Sequence, residues 1–338
     1  MPKFSIIIPV RKINDFLRES IQKIKESDYK DFEVWIITDE SESFYFGDER
    51  FKIISSGSGN PSEKRNIAAN ISNGKILAFL DDDAYPKKDW LTVADILFAD
   101  PKVYALAGPT ITPQNAALFE RLADKILESP FIVGPTLFRF KPSDRGRIID
   151  DFPSVNLLVR KDAFLSVGGF MTDYWPGEDT KLCLDLVKKF GGGFPYDPHL
   201  VVYHHRRELL VPHLKQISRY GRQRGQFAKV FPETSRRFQY FVPSLFILGL
   251  FLGPIVSFFL PVLWKVYFSV TSIYLLLLFY EFIKNSFEEK SLLAGYYVVV
   301  GIFLTHIVYG TNFIVGYIKK PELQLKKFDE QTGNYVEG

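Results

Sequence analysis

Two rhythms of apolar and polar residues divide this chain. Up to about residue 240, short apolar runs rich in Ile, Val and Phe alternate with mixed, helix-patterned stretches; beyond it, polar positions almost vanish. The runs Phe4 to Val10, Phe32 to Thr38, Phe51 to Ser55 and Lys75 to Leu80 are bounded by polar breaks, and each predicts a strand. Asp15 to Lys25 and Pro61 to Ile71 predict helices between them, the second with proline at its first turn. Such alternation predicts a mostly parallel sheet covered on both faces. Ligands of such sheets sit beyond the carboxyl ends of the strands, which here are followed by Pro9-Val10-Arg11, Thr38-Asp39-Glu40 and Asp81-Asp82-Asp83.

The second rhythm is that of a bilayer. Phe241 to Trp264 runs 24 residues without a charge, Lys265 interrupts, Val266 to Tyr280 has none, and Leu292 to Ile318 has only His306 as a titratable group. Runs of this length predict two or three membrane helices, with a buried helical hairpin as the alternative. Before them, from His204 to Arg237, stand Arg206, Arg207, Lys215, Arg219, Arg222, Arg224, Lys229, Arg236 and Arg237 against Glu208 and Glu233. This charge pattern predicts a cytoplasmic juxtamembrane segment on anionic lipid, with Leu210, Leu214, Ile217 and Phe227 as its apolar face. Nucleic acid is the rival partner for such a stretch, and the adjacent apolar runs speak against it. Three crossings from a cytoplasmic Arg236-Arg237 would place Lys319, Lys320, Lys326 and Lys327 outside, against the positive-inside tendency, so the first or last apolar segment is a candidate for an interfacial or re-entrant one. The N-terminus MPKFSIIIPV reads as a first strand and not as a signal peptide. The expected organisation is residues 1–205, an α/β domain; 206–240, a basic amphipathic segment; 241–318, membrane helices; 319–338, a polar tail. A chain ending before Phe241 is expected to be soluble and to keep nucleotide binding.

With 338 residues, 46% hydrophobic and 24% charged, the chain can bury a core, and disorder is excluded. A net charge of +3 gives no global field for nucleic acid. Cys183 is the single cysteine, which excludes a disulfide framework and thiolate metal clusters and fits a reducing compartment.

Two motifs carry chemistry. In FLDDDAYP three carboxylates end a buried strand; they repel one another, and a hard divalent cation such as magnesium or manganese is the simplest reason to keep them, although acidic triplets also decorate solvated turns. If the strand continues, Asp81 and Asp83 point the same way. In WPGEDTKLCLDLVKKF, Glu178 and Asp179 open a helix with Leu182, Leu186, Val187 and Phe190 as its buried stripe. Acidic residues suit a helix N-terminus for electrostatic reasons alone, and the chemical alternative is a carboxylate that takes a proton from a hydroxyl. His204 and His205 follow an apolar run near the sheet end, where a histidine can complete a metal shell or meet a phosphate, or simply pack. Gly57 to Asn60 lacks the third glycine of a dinucleotide fingerprint and reads as a turn. His306 and Asn312, inside an apolar run, are polar groups for helix–helix bonding or a functional path.

In chain order, from Phe4 to Tyr220, these segments resemble glycosyltransferase family 2, the inverting nucleotide-sugar transferases of the GT-A fold. SIIIPV matches the opening strand, with Pro9, Val10 and Arg11 after it on the donor side. Asp39 falls where the family's nucleotide-binding acidic pair ends, with Thr38 and Glu40 in place of the commoner aspartate and glycine. GNPSEKRNIAAN matches a segment ending in Arg-Asn, giving Lys64, Arg65 and Asn66 to the nucleotide. FLDDDAYP matches the D-x-D motif: Asp83 is the implied metal ligand, Asp81 lies nearer the ribose and can join it, Asp82 belongs to the donor side, and His205 is a further candidate ligand. PSVNLLVRKDAFLSVGGF and the turn after it give Asn156, Gly168, Gly169 and Trp175 to the sugar and acceptor side. GED matches the E-D motif, making Asp179 the general base with Glu178 beside it. Gln216, Arg219 and Tyr220, the first of them 37 residues after Asp179, resemble Q-x-x-R-W with tyrosine for tryptophan; Arg219 joins the catalytic set, Gln216 and Tyr220 the acceptor side. LTHIVYGTNFIVGYIKK resembles the last apolar segment of members that build extracellular polysaccharide or lipid-linked glycans.

The resemblance implies an α/β, Rossmann-like GT-A catalytic domain followed by transmembrane helices, in a multi-pass protein of the cytoplasmic membrane with its catalytic domain on the cytoplasmic side. The implied partners are a UDP, GDP or dTDP sugar, Mg2+ or Mn2+, a polyprenyl-linked acceptor and membrane lipids. A polyprenyl-phosphate glycosyl synthase, a processive polysaccharide synthase and a catalytically silent membrane scaffold are the alternatives.

Overall fold

The computed structural model describes residues 2–57, 59–171, 174 and 176–319, together with the main chain of a hairpin at 326–329 and 334–337. The chain divides into two compact units: residues up to Pro113 with Lys141–His205 and Leu323–Gly338, and Gln114–Phe140 with Arg206–Glu322. The segment Gln114–Phe140, which the sequence reading left inside the α/β domain, thus groups with the apolar helices.

Among the described residues, and besides the hairpin strands at 326–329 and 334–337, eleven strands build the first unit: β1 (Phe4–Pro9), β2 (Phe32–Thr38), β3 (Phe51–Ser55), β4 (Ile76–Phe79), β5 (Ala84–Pro86), β6 (Ala105–Ala107), β7 (Thr110–Ile111), β8 (Arg147–Ile149), β9 (Leu157–Arg160), β10 (Phe194–Tyr196) and β11 (Val202–His204). Eight form one sheet in the order β3-β2-β1-β4-β9-β6-β10-β8, and β5-β11-β7 form a smaller one. Its first half, β3 to β4, is parallel as expected. β9 runs antiparallel between β4 and β6, so the whole sheet is mixed. Every residue of β1 is buried because helices cover both faces of a central parallel strand. Leu17, Ile21 and Ile24 of the helix Asp15–Lys25 pack there with Phe4, Ile6, Ile8 and Trp90.

Both early helices begin where a side chain can take up loose amides. Asn14 Oδ1 accepts from Leu17 N at 2.8 Å, and Asn60 Oδ1 from Ser62 N and Glu63 N, ahead of Pro61. One buried carboxylate ties the bottom of the sheet together. Glu33 of β2 accepts from Ser5 Oγ (2.8 Å), Lys52 Nζ (2.8 Å) and the Asn73 amide (2.6 Å). Burial alone would raise its pKa, but these bonds outweigh it and bring it down to about 2. Gly74 has no alternative there, since a Cβ would stand 2.5 Å from Ser5 N and 2.7 Å from Phe4 C.

The second unit is helical: Leu118–Leu127, Val211–Val230, Phe238–Phe259, Leu263–Glu288 and Leu292–Ile318 are its longer elements. The last three are long and apolar enough to cross a membrane. Leu292–Ile318 is central. Its Ala294, Val298 and Ile302 pack with Leu122, Ala123, Ile126 and Leu209, and further along Gly221 and Gly225 bring the helix Val211–Val230 against the main chain of Tyr309, Phe313 and Tyr317. Ile217 and Phe227 of that helix are buried, and Lys215, Arg219, Arg222 and Lys229 are exposed.

Candidate active site

The residues expected on the donor side lie at or past the carboxyl ends of β1, β2 and β4 and on the helix Pro61–Ile71. Val10 is buried and Arg11 exposed just past β1. Lys64, 2% exposed on the helix Pro61–Ile71, donates to the Val10 carbonyl and to Asp39. An ammonium this buried needs such partners to stay charged, and here it fixes Asp39 beyond β2.

The acidic triplet does not prolong β4. It turns at Asp82-Asp83 and re-enters a sheet as β5, so the turn, and not strand alternation, brings Asp81 and Asp83 together. β11 pairs antiparallel with β5, placing His204 opposite Ala84 and therefore beside Asp83. His204 Nε2 lies 3.2 Å from Asp83 Oδ1, and Asp81, Asp83 and His204 each offer a ligand atom within 4.8 Å of the others. Two carboxylates and an imidazole form a donor set suited to Mn2+ or Mg2+. His205, expected on the ion, turns the other way: successive side chains of an extended segment alternate, and its Nε2 meets Glu19 Oε2 at 3.0 Å.

Arg65 links this cluster to the second motif. Only 3% exposed, it donates to Asp81 Oδ1 at 2.6 Å and to Glu178 Oε1 at 3.2 Å, and its guanidinium lies over the Phe170 ring. Glu178 and Asp179 open the helix Glu178–Phe190. Glu178 is buried, its second oxygen taken by the Gly177 amide. Asp179 is half-buried and accepts from the Thr180 amide at 2.7 Å.

Several expected residues have other work. Both ends of the Asn66 amide bind the Phe170 main chain, at 2.7 and 2.9 Å. Gly169, at φ +73°, leaves room for them, because a Cβ would stand 2.6 Å from Asn66 Oδ1. Gly168 also takes a positive φ in that turn. Asn156 is wholly buried, accepting from Trp90 Nε1 and donating to the Pro109 and Leu200 carbonyls, so its side chain is spent inside the unit. Asp82 accepts from Asn14 Nδ2 at 2.6 Å. Trp175 lies outside the described residues. Gln216, Arg219 and Tyr220 stand on the helix Val211–Val230 of the second unit, where Gln216 Nε2 donates to the Tyr220 hydroxyl at 3.1 Å.

A mixed sheet with acidic and basic groups at its parallel carboxyl ends and a D-x-D turn beside it is a GT-A-like α/β arrangement. Residues 5–164 match the family described as Glycosyl transferase family 2. The chain is 28% identical over 176 residues, 52% of its length, to a pre-mycofactocin glycosyltransferase of Mycobacterium tuberculosis, of which the match covers 36%. It is 23% identical over 202 residues, 55% of its length, to a glucosyl-dolichyl phosphate glucuronosyltransferase of Haloferax volcanii, of which the match covers 63%. The chain thus spans about a third of the first relative and just under two thirds of the second. In fold it is similar to a mannosyltransferase of Pyrobaculum calidifontis in complex with GDP-Man and Mn2+, with a TM-score of 0.50 at 18% identity, covering 68% of this chain and 64% of that one.

Proposed function

We propose that this protein is a membrane-anchored glycosyltransferase of family 2 that inverts the anomeric centre, depends on a divalent cation, and moves a sugar from a nucleotide diphosphate to a polyprenyl-linked acceptor on the cytoplasmic face. The observation that carries this reading is the joined cluster Asp81–Asp83–His204 and Arg65–Glu178, which puts a cation site and a carboxylate pair on one scaffold. Asp81, Asp83 and His204 would hold the ion, and a bound divalent ion supplies charge neutralisation for a donor diphosphate. Lys64 holds Asp39 ready at the nucleotide end. Of the two motif carboxylates, Glu178 is buried and fixed by Arg65 and Gly177, whereas Asp179 is half-buried at the start of the helix. Asp179 takes the proton of the acceptor hydroxyl as that oxygen bonds to the anomeric carbon and the bond to the diphosphate oxygen breaks. Attack opposite the leaving group turns an α-linked donor into a β-linked product.

The three apolar helices and the exposed basic face of Val211–Val230 support the membrane reading, and confinement to one surface raises the encounter of enzyme and lipid acceptor. A relative named for glucosyl-dolichyl phosphate supports a lipid-linked acceptor. Arg219 is assigned to the departing diphosphate by its motif.

The test uses full-length protein in membranes, labelled UDP, GDP and dTDP sugars, polyprenyl-linked glycans and Mn2+. One donor should give transfer with a β-anomeric product, lost in chelator and restored by Mn2+. Transfer that persists in chelator overturns the metal assignment, a retained anomer overturns inversion, and donor consumption only with water-soluble acceptors overturns the lipid acceptor.

A further inference from the structure

Resting on that membrane reading, we infer that only the hairpin Phe238–Phe259 and Leu263–Glu288 crosses the bilayer, that Leu292–Ile318 is not a span, and that the chain after Lys319 lies on the same side as the basic helix Val211–Val230. Length and composition qualify all three helices, but their neighbours separate them. In the most apolar 18 residues of each, 17% and 6% are buried for the first two and 39% for the third.

Charged helices cover the third helix along both halves. Near its start, Gly301 abuts Ile126 of Leu118–Leu127, whose Arg121 and Lys125 pair with Glu289 at 2.9 Å and Glu288 at 2.8 Å. Towards its end the basic helix runs beside it in the same direction. His213 Nε2 meets Thr305 Oγ1 at 3.0 Å, Gly225 lies against Phe313, Gly316 against the Arg222 main chain, and Lys229 donates to the Lys319 carbonyl at 3.3 Å. Two helices in main-chain contact share one depth, here over residues 305–319, roughly 21 Å at about 1.5 Å per residue. Were that stretch in hydrocarbon, Lys215, Arg219, Arg222 and Lys229, exposed on its partner, would face acyl chains, which charged groups avoid.

The hairpin has the opposite character. No charge occurs between Arg237 and Lys265 or between Lys265 and Glu281. Phe251, Phe258, Leu276 and Phe279 are among its exposed side chains. Lys265 marks its tip beside Trp264 and Tyr267, residue types that favour the membrane interface. At the base the second helix returns among polar groups: Glu281, 1% exposed, accepts from Ser129 Oγ at 2.9 Å and Asn285 Nδ2 at 3.0 Å. Both ends of the hairpin therefore meet the same side. Two crossings return Lys319, Lys320, Lys326 and Lys327 to the side of Arg236 and Arg237, and the positive-inside tendency is obeyed.

Single-cysteine chains on a Cys183→Ser background test this: Lys215→Cys on the basic helix, Lys265→Cys at the tip, Asn334→Cys in the tail. In sealed vesicles of both orientations, an impermeant maleimide should label Lys215→Cys and Asn334→Cys from one face and Lys265→Cys only from the other. Trypsin added to vesicles of the unmodified chain should trim the tail lysines only from the face that labels Lys215→Cys. Tail labelling or trimming from the opposite face shows that the third helix crosses, and tip labelling from the Lys215 face shows that the hairpin does not; either overturns the inference. An alkaline wash separates the failures: release of the full chain overturns membrane anchoring itself, whereas retention with the tail on the far side overturns only the two-crossing arrangement.

Discussion

Glu178 and Asp179 are adjacent acids with opposite surroundings, and the difference predicts opposite mutant behaviour. Asp179→Asn keeps shape but cannot take a proton, so turnover should fall about a hundredfold or more with donor affinity retained, read from kcat beside nucleotide binding. Glu178→Gln leaves the Arg65 guanidinium with one anion fewer in a buried place. Its main effect should be on stability, a loss of roughly 3 kcal/mol by denaturant titration, while turnover falls less than for Asp179→Asn. An equal kcat loss in the two variants would remove the distinction. The same scale shows what a sequence can and cannot tell. The D-x-D and E-D acids are legible because each sits at a predictable end of a strand or helix. The choice between His204 and His205 is not, because it depends on the register of β11 against β5, more than a hundred residues away in the chain. Removing the His204 ring, as His204→Ala, should weaken stabilisation by Mn2+ at least tenfold; His205→Ala should leave Mn2+ binding within about twofold, as measured by thermal shift across a metal titration.

Whole elements were easier to foresee than their pairing. The helices Asp15–Lys25 and Pro61–Ile71 run over the expected residues because caps and a proline mark their starts, and β1 to β4 follow long apolar runs. β5 to β8, β10 and β11 are only two or three residues long, too short for any periodicity to declare, and so the mixed half of the sheet was hidden. The stripe expected on Glu178–Phe190 also shifts: Leu182 and Leu186 are buried, but Phe190 is 45% exposed at the helix end, stacked on Tyr104. The Ser5–Glu33–Lys52 tie makes a pH prediction. A carboxylate whose folded pKa is depressed stabilises above its unfolded value, near 4.3, and loses that contribution as pH falls towards 2. Glu33→Gln should therefore cost roughly 2 to 3 kcal/mol at neutral pH, and the gap from the native protein should close between about pH 4 and pH 2 in acid–urea titrations. A constant gap would mean that Glu33 acts by packing alone. Gly225→Leu forces a side chain into the Phe313 main chain and should destabilise by about 1 to 3 kcal/mol through overpacking.

At the scale of the molecule, the second unit is discontinuous, and this revises one expectation. A chain ending before Phe241 loses Ala294, Val298 and Ile302, the cover of Leu122, Ala123, Ile126 and Leu209. Such a fragment should associate and bind hydrophobic dyes in gel filtration and fluorescence assays. Recovery of a monomer as stable as the full chain would show that Gln114–Phe140 stands without its cover. The net charge, the single cysteine and the apolar runs had indicated the broad class from the sequence alone, but nothing local marks residues 114–140 as belonging with a helix that closes on them so much later in the chain.

That closing helix also sets an order of events during synthesis. Leu122 and Ile126 leave the ribosome roughly 170 residues ahead of Ala294, Val298 and Ile302, which cover them. At roughly 5 to 20 residues per second the interval is on the order of ten to thirty seconds. Throughout it the nascent chain carries a bare apolar face, and strands β8 to β11 of the first unit are made within the same interval. On the two-crossing arrangement proposed above, insertion of the hairpin ends the wait, because Leu292 follows directly on its second helix and is then delivered to the place where that face lies open. Arrest of elongation before Ala294 would on that arrangement leave an apolar face for chaperones to shield, and membrane insertion would be the last step of folding for a part of the protein proposed to stay out of the lipid.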